Sequence, residues 1–123
     1  MSALGNLLHR LTASRDELEA ADERRTSLAR GAAPCADLLP RRRAKVAGVV
    51  VALTYRPRGE SPALVARLFD GSGSIDLVFL GRREVPGVDC GRRLVAEGMV
   101  AFEDGRQVMF NPDYHLLAKG PAA

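Results

Sequence analysis

Ala63-Leu64-Val65-Ala66-Arg67-Leu68-Phe69-Asp70-Gly71-Ser72-Gly73-Ser74-Ile75-Asp76-Leu77-Val78-Phe79-Leu80 is the stretch on which the fold turns. Two runs rich in branched and aromatic residues flank Asp70-Gly71-Ser72-Gly73, a cluster of turn formers. That arrangement predicts a hairpin of two strands, Ala63 to Phe69 and Ile75 to Leu80. Successive strand side chains point to opposite faces. If Leu64, Ala66 and Leu68 face inward with Ile75, Leu77 and Phe79, then Val65, Arg67 and Phe69 face outward beside Asp76, Val78 and Leu80.

Extended patterning continues on both sides of the hairpin. Lys45 to Tyr55 (KVAGVVVALTY) is rich in β-branched residues and reads as a long first strand, with Gly48 marking a bulge or bend. Arg56 to Pro62 is a loop by its Pro and Gly content. Downstream, Gly81 to Arg93 carries Pro86, Gly87 and Gly91, too broken for a full helix, and bridges to a fourth strand as a loop or single turn. Leu94 to Phe102 is that strand. Asp104-Gly105 is a preferred two-residue hairpin turn, and Arg106 to Phe110 opens a fifth strand that extends past Asn111-Pro112 into Tyr114 to Leu117. Pro112 donates no backbone hydrogen bond, which confines that extension to an edge or bulge.

Upstream the period is helical. Leu4, Leu7, Leu8, Leu11 and Leu18 form one apolar stripe, and Ser14 with Glu17 has capping-box spacing for a restart, so this is one helix or two short ones. Thr26 to Pro40, interrupted by Gly31, Pro34 and Pro40, reads as a linker. Five short strands, a long bent first strand and an irregular crossing between strands three and four are the layout of a five-stranded OB-fold Greek-key barrel. The expected fold class is therefore mainly β, with residues 1–40 as an N-terminal α-helical segment and linker, 41–118 as the barrel and 119–123 as a flexible tail.

The 123 residues suit a single domain, and the formal charge of +3 is mildly basic. Up to Arg30 the arginines are matched by Asp16, Glu17, Glu19, Asp22 and Glu23, so the basic excess lies downstream. Arg dominates, since Lys45 and Lys119 are the only lysines, and Arg makes bidentate phosphate contacts and stacks on bases as Lys cannot. Cys35 and Cys90 have no metal-ligand spacing, so no disulfide framework, metal or cofactor is expected, and a reduced cytoplasmic setting fits. No apolar run approaches the roughly 20 residues of a membrane span, and the opening residues lack the pattern of a signal peptide.

At two places the chain is similar to known families. Leu68 to Phe79 resembles the strand-turn-strand of OB domains in tRNA-anticodon-binding and helicase proteins. Gly91-Arg92-Arg93-Leu94-Val95-Ala96-Glu97-Gly98, with Asp104-Gly105 and Phe110-Asn111-Pro112-Asp113-Tyr114, resembles the wedge OB domain of RecG-type branched-DNA helicases. The match covers about Arg43 to Leu117, and the whole chain resembles small stand-alone actinobacterial OB-fold nucleic-acid-binding proteins. The resemblance implies binding of single-stranded or branched DNA, favoured over RNA, with low sequence specificity, in repair or recombination. Two departures bear on it: the wedge has paired aromatics where Phe79 is followed by Leu80, and no GxxxxGK[ST] motor loop is present.

Such a surface needs cations for phosphates and flat side chains for bases. Arg67 and Phe69 are the candidates on the outward hairpin face. Tyr55, Arg56 and Arg58 stand in the first loop, Arg106 at the last hairpin, and Arg82, Arg83, Arg92 and Arg93 beside the crossing segment. Arg41, Arg42, Arg43 and Lys45 lead into strand one. Phe69 equally fits a barrel-end core position, Tyr55 a cap on the barrel bottom, and whether the clusters share one face is left open. Asp70 reads as a turn residue and Asp76 as an exposed strand position. His9 and His115 have no nucleophile or metal partner in sequence, and no GxSxG or HExxH motif occurs, so no catalysis is expected. The competing function is a protein interaction or homo-oligomerisation module using the barrel and the N-terminal helix.

Overall fold

The computed structural model describes residues 29–57 and 62–118. The leucine stripe from Leu4 to Leu18, His9, Arg58 and the expected tail at 119–123 lie outside the described residues. Among the described residues six strands follow in order: β1 (Arg43–Arg56), β2 (Ala63–Phe69), β3 (Ser74–Leu80), β4 (Arg93–Glu103), β5 (Arg106–Phe110) and β6 (Asp113–Leu116). Hydrogen bonding runs β1-β2-β3-β5-β4, and β4 returns to β1, so five strands close into a barrel-like ring. Among the described residues the β3–β5 pairing is parallel and the others are antiparallel.

Strand β1 closes the ring by serving two partners. Its first half, Arg43 to Val49, pairs with β4, and its second half, Val49 to Arg56, pairs with β2. The change-over falls at Gly48 and Val49, where β1 passes so close to β2 that a Cβ on Gly48 would strike the carbonyl of Phe69. The bulge itself lies a little further on, between Val50 and Ala52. A side-chain-free residue is thus needed where the strand curls, and the extra residue of the bulge re-aims the strand that follows.

The predicted fifth strand is present in two pieces. β5 pairs with Val100 to Glu103 of β4 and β6 with Leu94 to Glu97, the register moving by one residue across Asn111 and Pro112. Asn111 adopts a left-handed φ of 47°. Its N–H donates to the Val78 carbonyl at 2.7 Å, and its Oδ1 accepts the Leu80 N–H at 2.9 Å. The break forced by Pro112 is stapled to the end of β3.

The barrel interior follows the predicted alternation. Leu64, Ala66 and Leu68 pack with Ile75, Leu77 and Phe79, joined by Val46, Val50, Leu94, Ala96, Val100 and Met109. Phe79 meets Tyr114 edge to face, with centroids 5.8 Å apart. Val85 and Val88 of the irregular crossing segment close one end.

The other end is closed by residues that the Gly and Pro pattern assigns to a linker. A 3-10 turn, Cys35–Asp37, carries Cys35 into full burial, and Leu38 is buried beside it. Cys35 N–H donates to Asp70 Oδ2 at 2.8 Å, Ala36 N–H to Ser72 Oγ at 3.1 Å, and Gln107 Nε2 to the Cys35 carbonyl at 2.9 Å. Gly31, Pro34 and Pro40 stop helix propagation, yet one tight turn between two prolines suffices to insert two apolar side chains.

Candidate nucleic-acid interface

Strand register defines the outward surface of β1, β2, β3 and β5. Arg67 sits between Ala52 and Asp76, and Phe69 between Val49 and Ser74. Phe69 is 43% exposed, which places it on the surface and not in the barrel end. Between the two ends of this surface, Ala63, Val65, Val78 and Val108 form a second apolar cluster outside the barrel core, with Ala101 packed against it. They floor a groove of about 140 Å³ walled by Arg56 at the end of β1 and by Arg106 at the start of β5.

Arg67 is less available than alternation suggests. Its Nε donates to Asp76 Oδ1 at 3.0 Å, and Asp76 is only 4% exposed. The exposed strand position expected for Asp76 is thus corrected to a buried carboxylate, covered because it stands directly opposite Arg67 and Val108. Burial of a charge demands a partner, so part of Arg67 serves the fold.

The candidate residues do not share one face. Arg56, Arg67, Phe69 and Arg106 lie on the groove surface. Tyr55, Arg82 and Arg83 lie at the crossing-segment end, where the Arg83 guanidinium sits 5.5 Å from the centroid of the exposed Tyr55 ring. The run from Arg41 to Lys45 lies along β4: Arg41 N–H donates to the Val100 carbonyl, and Arg43 and Lys45 pair with Met99 and Glu97. There Arg43 meets Glu97 at 3.8 Å and Asp113 at 3.4 Å, and Lys45 Nζ donates to the Arg30 carbonyl at 3.1 Å. A closed ring separates positions that are neighbours along one strand, because β1 presents its two halves to different sides of the barrel.

Two features of the surface escaped the sequence reading. Phe110 is exposed and pairs with Val78; the alternation Val108, Met109, Phe110 around an inward Met109 is the signal that marks it. Glu103 and Asp104 line the groove with Asp76, so its wall carries acids as well as arginines. Among the described residues, no ion pair holds Arg56, Arg93 or Arg106.

The Asp70 turn organises the neighbouring end. Burial by itself would raise its carboxyl, but hydrogen bonds from Cys35 N, Ser72 Oγ, Ser72 N and Gly73 N outweigh it and hold the group at about 2. The same contact acts on the thiol of Cys35, which burial first and the Asp70 charge second push up to about 12. Such a thiol is a small buried apolar group and no nucleophile. Among the described residues no group of three or more His, Cys, Asp or Glu is placed to hold a metal ion, and no helix is long and apolar enough to cross a membrane. No protein-family model and no curated protein matches the chain.

Proposed function

We propose that this chain is a non-catalytic nucleic-acid-binding protein on an OB-type Greek-key barrel. It takes single-stranded or branched DNA across the outward face of β2, β3 and β5 with low sequence specificity. The observation that carries this reading is the groove between Arg56 and Arg106, whose guanidiniums, without an ion pair among the described residues, stand at its two ends while Phe69 offers an exposed ring on the same surface. Strand order supports the OB assignment, since a ring closed by parallel β3–β5 pairing and by β1–β4 pairing is the OB arrangement. The preference for DNA comes from the RecG-wedge resemblance. Fork splitting is not part of the proposal: Phe79 is buried in the core, and its neighbour Leu80 offers no second ring.

Binding by this surface is electrostatic in its main part. Each phosphate neutralised on a single strand adds about 0.7 to the salt slope, so Arg56 and Arg106 together predict a slope near −1.4 in log affinity against log salt. Anisotropy titrations with single-stranded, forked and duplex DNA and with RNA, at several salt concentrations, measure it. A flat salt response, or no binding to any of the four, overturns the proposal. A protein partner is the second reading, favoured by Asp76, Glu103 and Asp104 in the groove wall, and salt-independent capture of a protein with no nucleic-acid binding supports it.

A further inference from the structure

Val49 is the residue of β1 at which the ring closes, and its two cross-strand neighbours are Phe69 on β2 and Arg93 on β4. Two strand spacings put these neighbours roughly 10 Å apart at the backbone. Together they line an open groove of about 440 Å³ whose floor is Ala47, Gly48 and Val49. It contains Phe69 but neither Arg56 nor Arg106, and so is distinct from the groove over Val65 and Val78.

Its lining brings a ring and a cation together over an apolar floor. Phe69 supplies a ring that is 43% exposed, Arg93 supplies an exposed guanidinium with no ion pair among the described residues, and the floor is apolar and low because Gly48 has no side chain. Among the described residues one acid lines it, Asp70, and its carboxylate is already occupied by Cys35 N, Ser72 N, Ser72 Oγ and Gly73 N. A base stacks on a ring in the absence of sequence preference, and a guanidinium holds a phosphate.

We infer that this groove is a second nucleotide-binding position. A single strand crossing the β2–β3 face continues over Phe69, stacks one unpaired base there and places a phosphate on Arg93. The inference rests on the nucleic-acid reading given above. It requires an unpaired strand, because a base inside a duplex has no free face for Phe69. Base and phosphate are common to DNA and RNA, so both arms belong in the test.

The experiment uses the full chain with fluorescent dU12 and rU12, which differ only in the sugar, titrated by anisotropy at several salt concentrations, for wild type, Arg93→Gln, Phe69→Leu and Arg56→Gln. Phe69→Leu keeps an apolar side chain and removes the ring. With Arg93 as a third phosphate contact the wild-type slope becomes about −2.1 instead of −1.4, and Arg93→Gln is expected to flatten it by about 0.7, while Phe69→Leu is expected to weaken binding roughly 5-fold to 100-fold. A strand carrying 5-iodouracil is expected to cross-link at Phe69. Equal losses in both arms support a site that reads only base and phosphate, and a loss in one arm identifies the sugar that fits. If Arg56→Gln flattens the slope while Arg93→Gln and Phe69→Leu leave binding unchanged, the second position is overturned and the first groove stands. If wild type binds neither oligonucleotide, the nucleic-acid reading falls and this inference with it. Duplex competing as well as single strand overturns the unpaired-base requirement.

Discussion

Asp76 and Arg67 show at the residue scale how one pair serves the fold on the surface proposed for binding. The carboxylate is buried and the guanidinium lies over it at 3.0 Å, with the Arg67 side chain 33% exposed. Removing the two partners is therefore unequal. Arg67→Met leaves a buried charge without its partner and is expected to cost about 1–3 kcal/mol in urea unfolding. Asp76→Asn keeps an oxygen acceptor and releases a guanidinium that water reaches, and is expected to cost less than half as much. Equal losses would show that the pair is only a surface contact.

Asp70 gives the same scale a pH dependence. Its carboxyl sits at about 2 in the folded chain against an ordinary 3.8, so the unfolded state binds the proton more readily. The stabilisation is present above about pH 4 and is lost as pH falls through 2. Asp70→Asn removes this titration while keeping one side-chain oxygen for the Ser72 and Gly73 donors. Between pH 4 and 2, wild type is expected to lose more stability than Asp70→Asn in thermal melts. Parallel losses in the two proteins would remove Asp70 as the cause.

Among the elements, β1 decides the architecture because it alone pairs with both β2 and β4. Gly48 permits the close approach to the Phe69 carbonyl. Gly48→Ala is expected to cost about 1–3 kcal/mol in unfolding free energy, the range of overpacking, and to shift backbone amide signals in both β1–β2 and β1–β4 ladders. A substitution without effect would mean that the strand crosses there with room to spare. The β4–β5 turn is the contrasting case. Asp104 at φ 52° and Gly105 at φ 76° adopt the paired left-handed conformation expected of an Asp-Gly hairpin turn, so two residues suffice to forecast its shape. Gly48 is recognisable in sequence as a bend, but not which carbonyl it must clear.

For the whole molecule, closure of both barrel ends completes a core that the ring alone leaves open. Val85 and Val88 supply one end, and Cys35 with Leu38 the other. Deleting residues 1–40 is expected to lower stability by at least ~2 kcal/mol, the scale of losing one buried aliphatic side chain, and to expose apolar surface to a hydrophobic dye. A fully stable truncated barrel would show that the 3-10 turn packs without contributing. Cys35 and Leu38 are illegible as part of the core because Gly and Pro announce only where helices stop, while the burial of Cys35 depends on Asp70, Ser72 and Gln107, residues 35 to 72 positions away.

What the sequence by itself determined is local: strand positions from period-two alternation, turns at Asp70-Gly71-Ser72-Gly73 and Asp104-Gly105, the break at Pro112, and the placing of Arg67 and Phe69 on one side of the hairpin, with the exposure of Phe69 left to the tertiary structure. These follow from backbone geometry and side-chain shape within a few residues, which any window of the chain contains. Ring closure, the plug at Cys35, the burial of Asp76 and the dispersal of the arginines over different sides of the barrel were decided only by tertiary structure. They depend on which strand edges meet across long separations, and the β1–β4 pairing brings Arg93 opposite Val49 and thereby beside Phe69, a juxtaposition absent from any linear pattern.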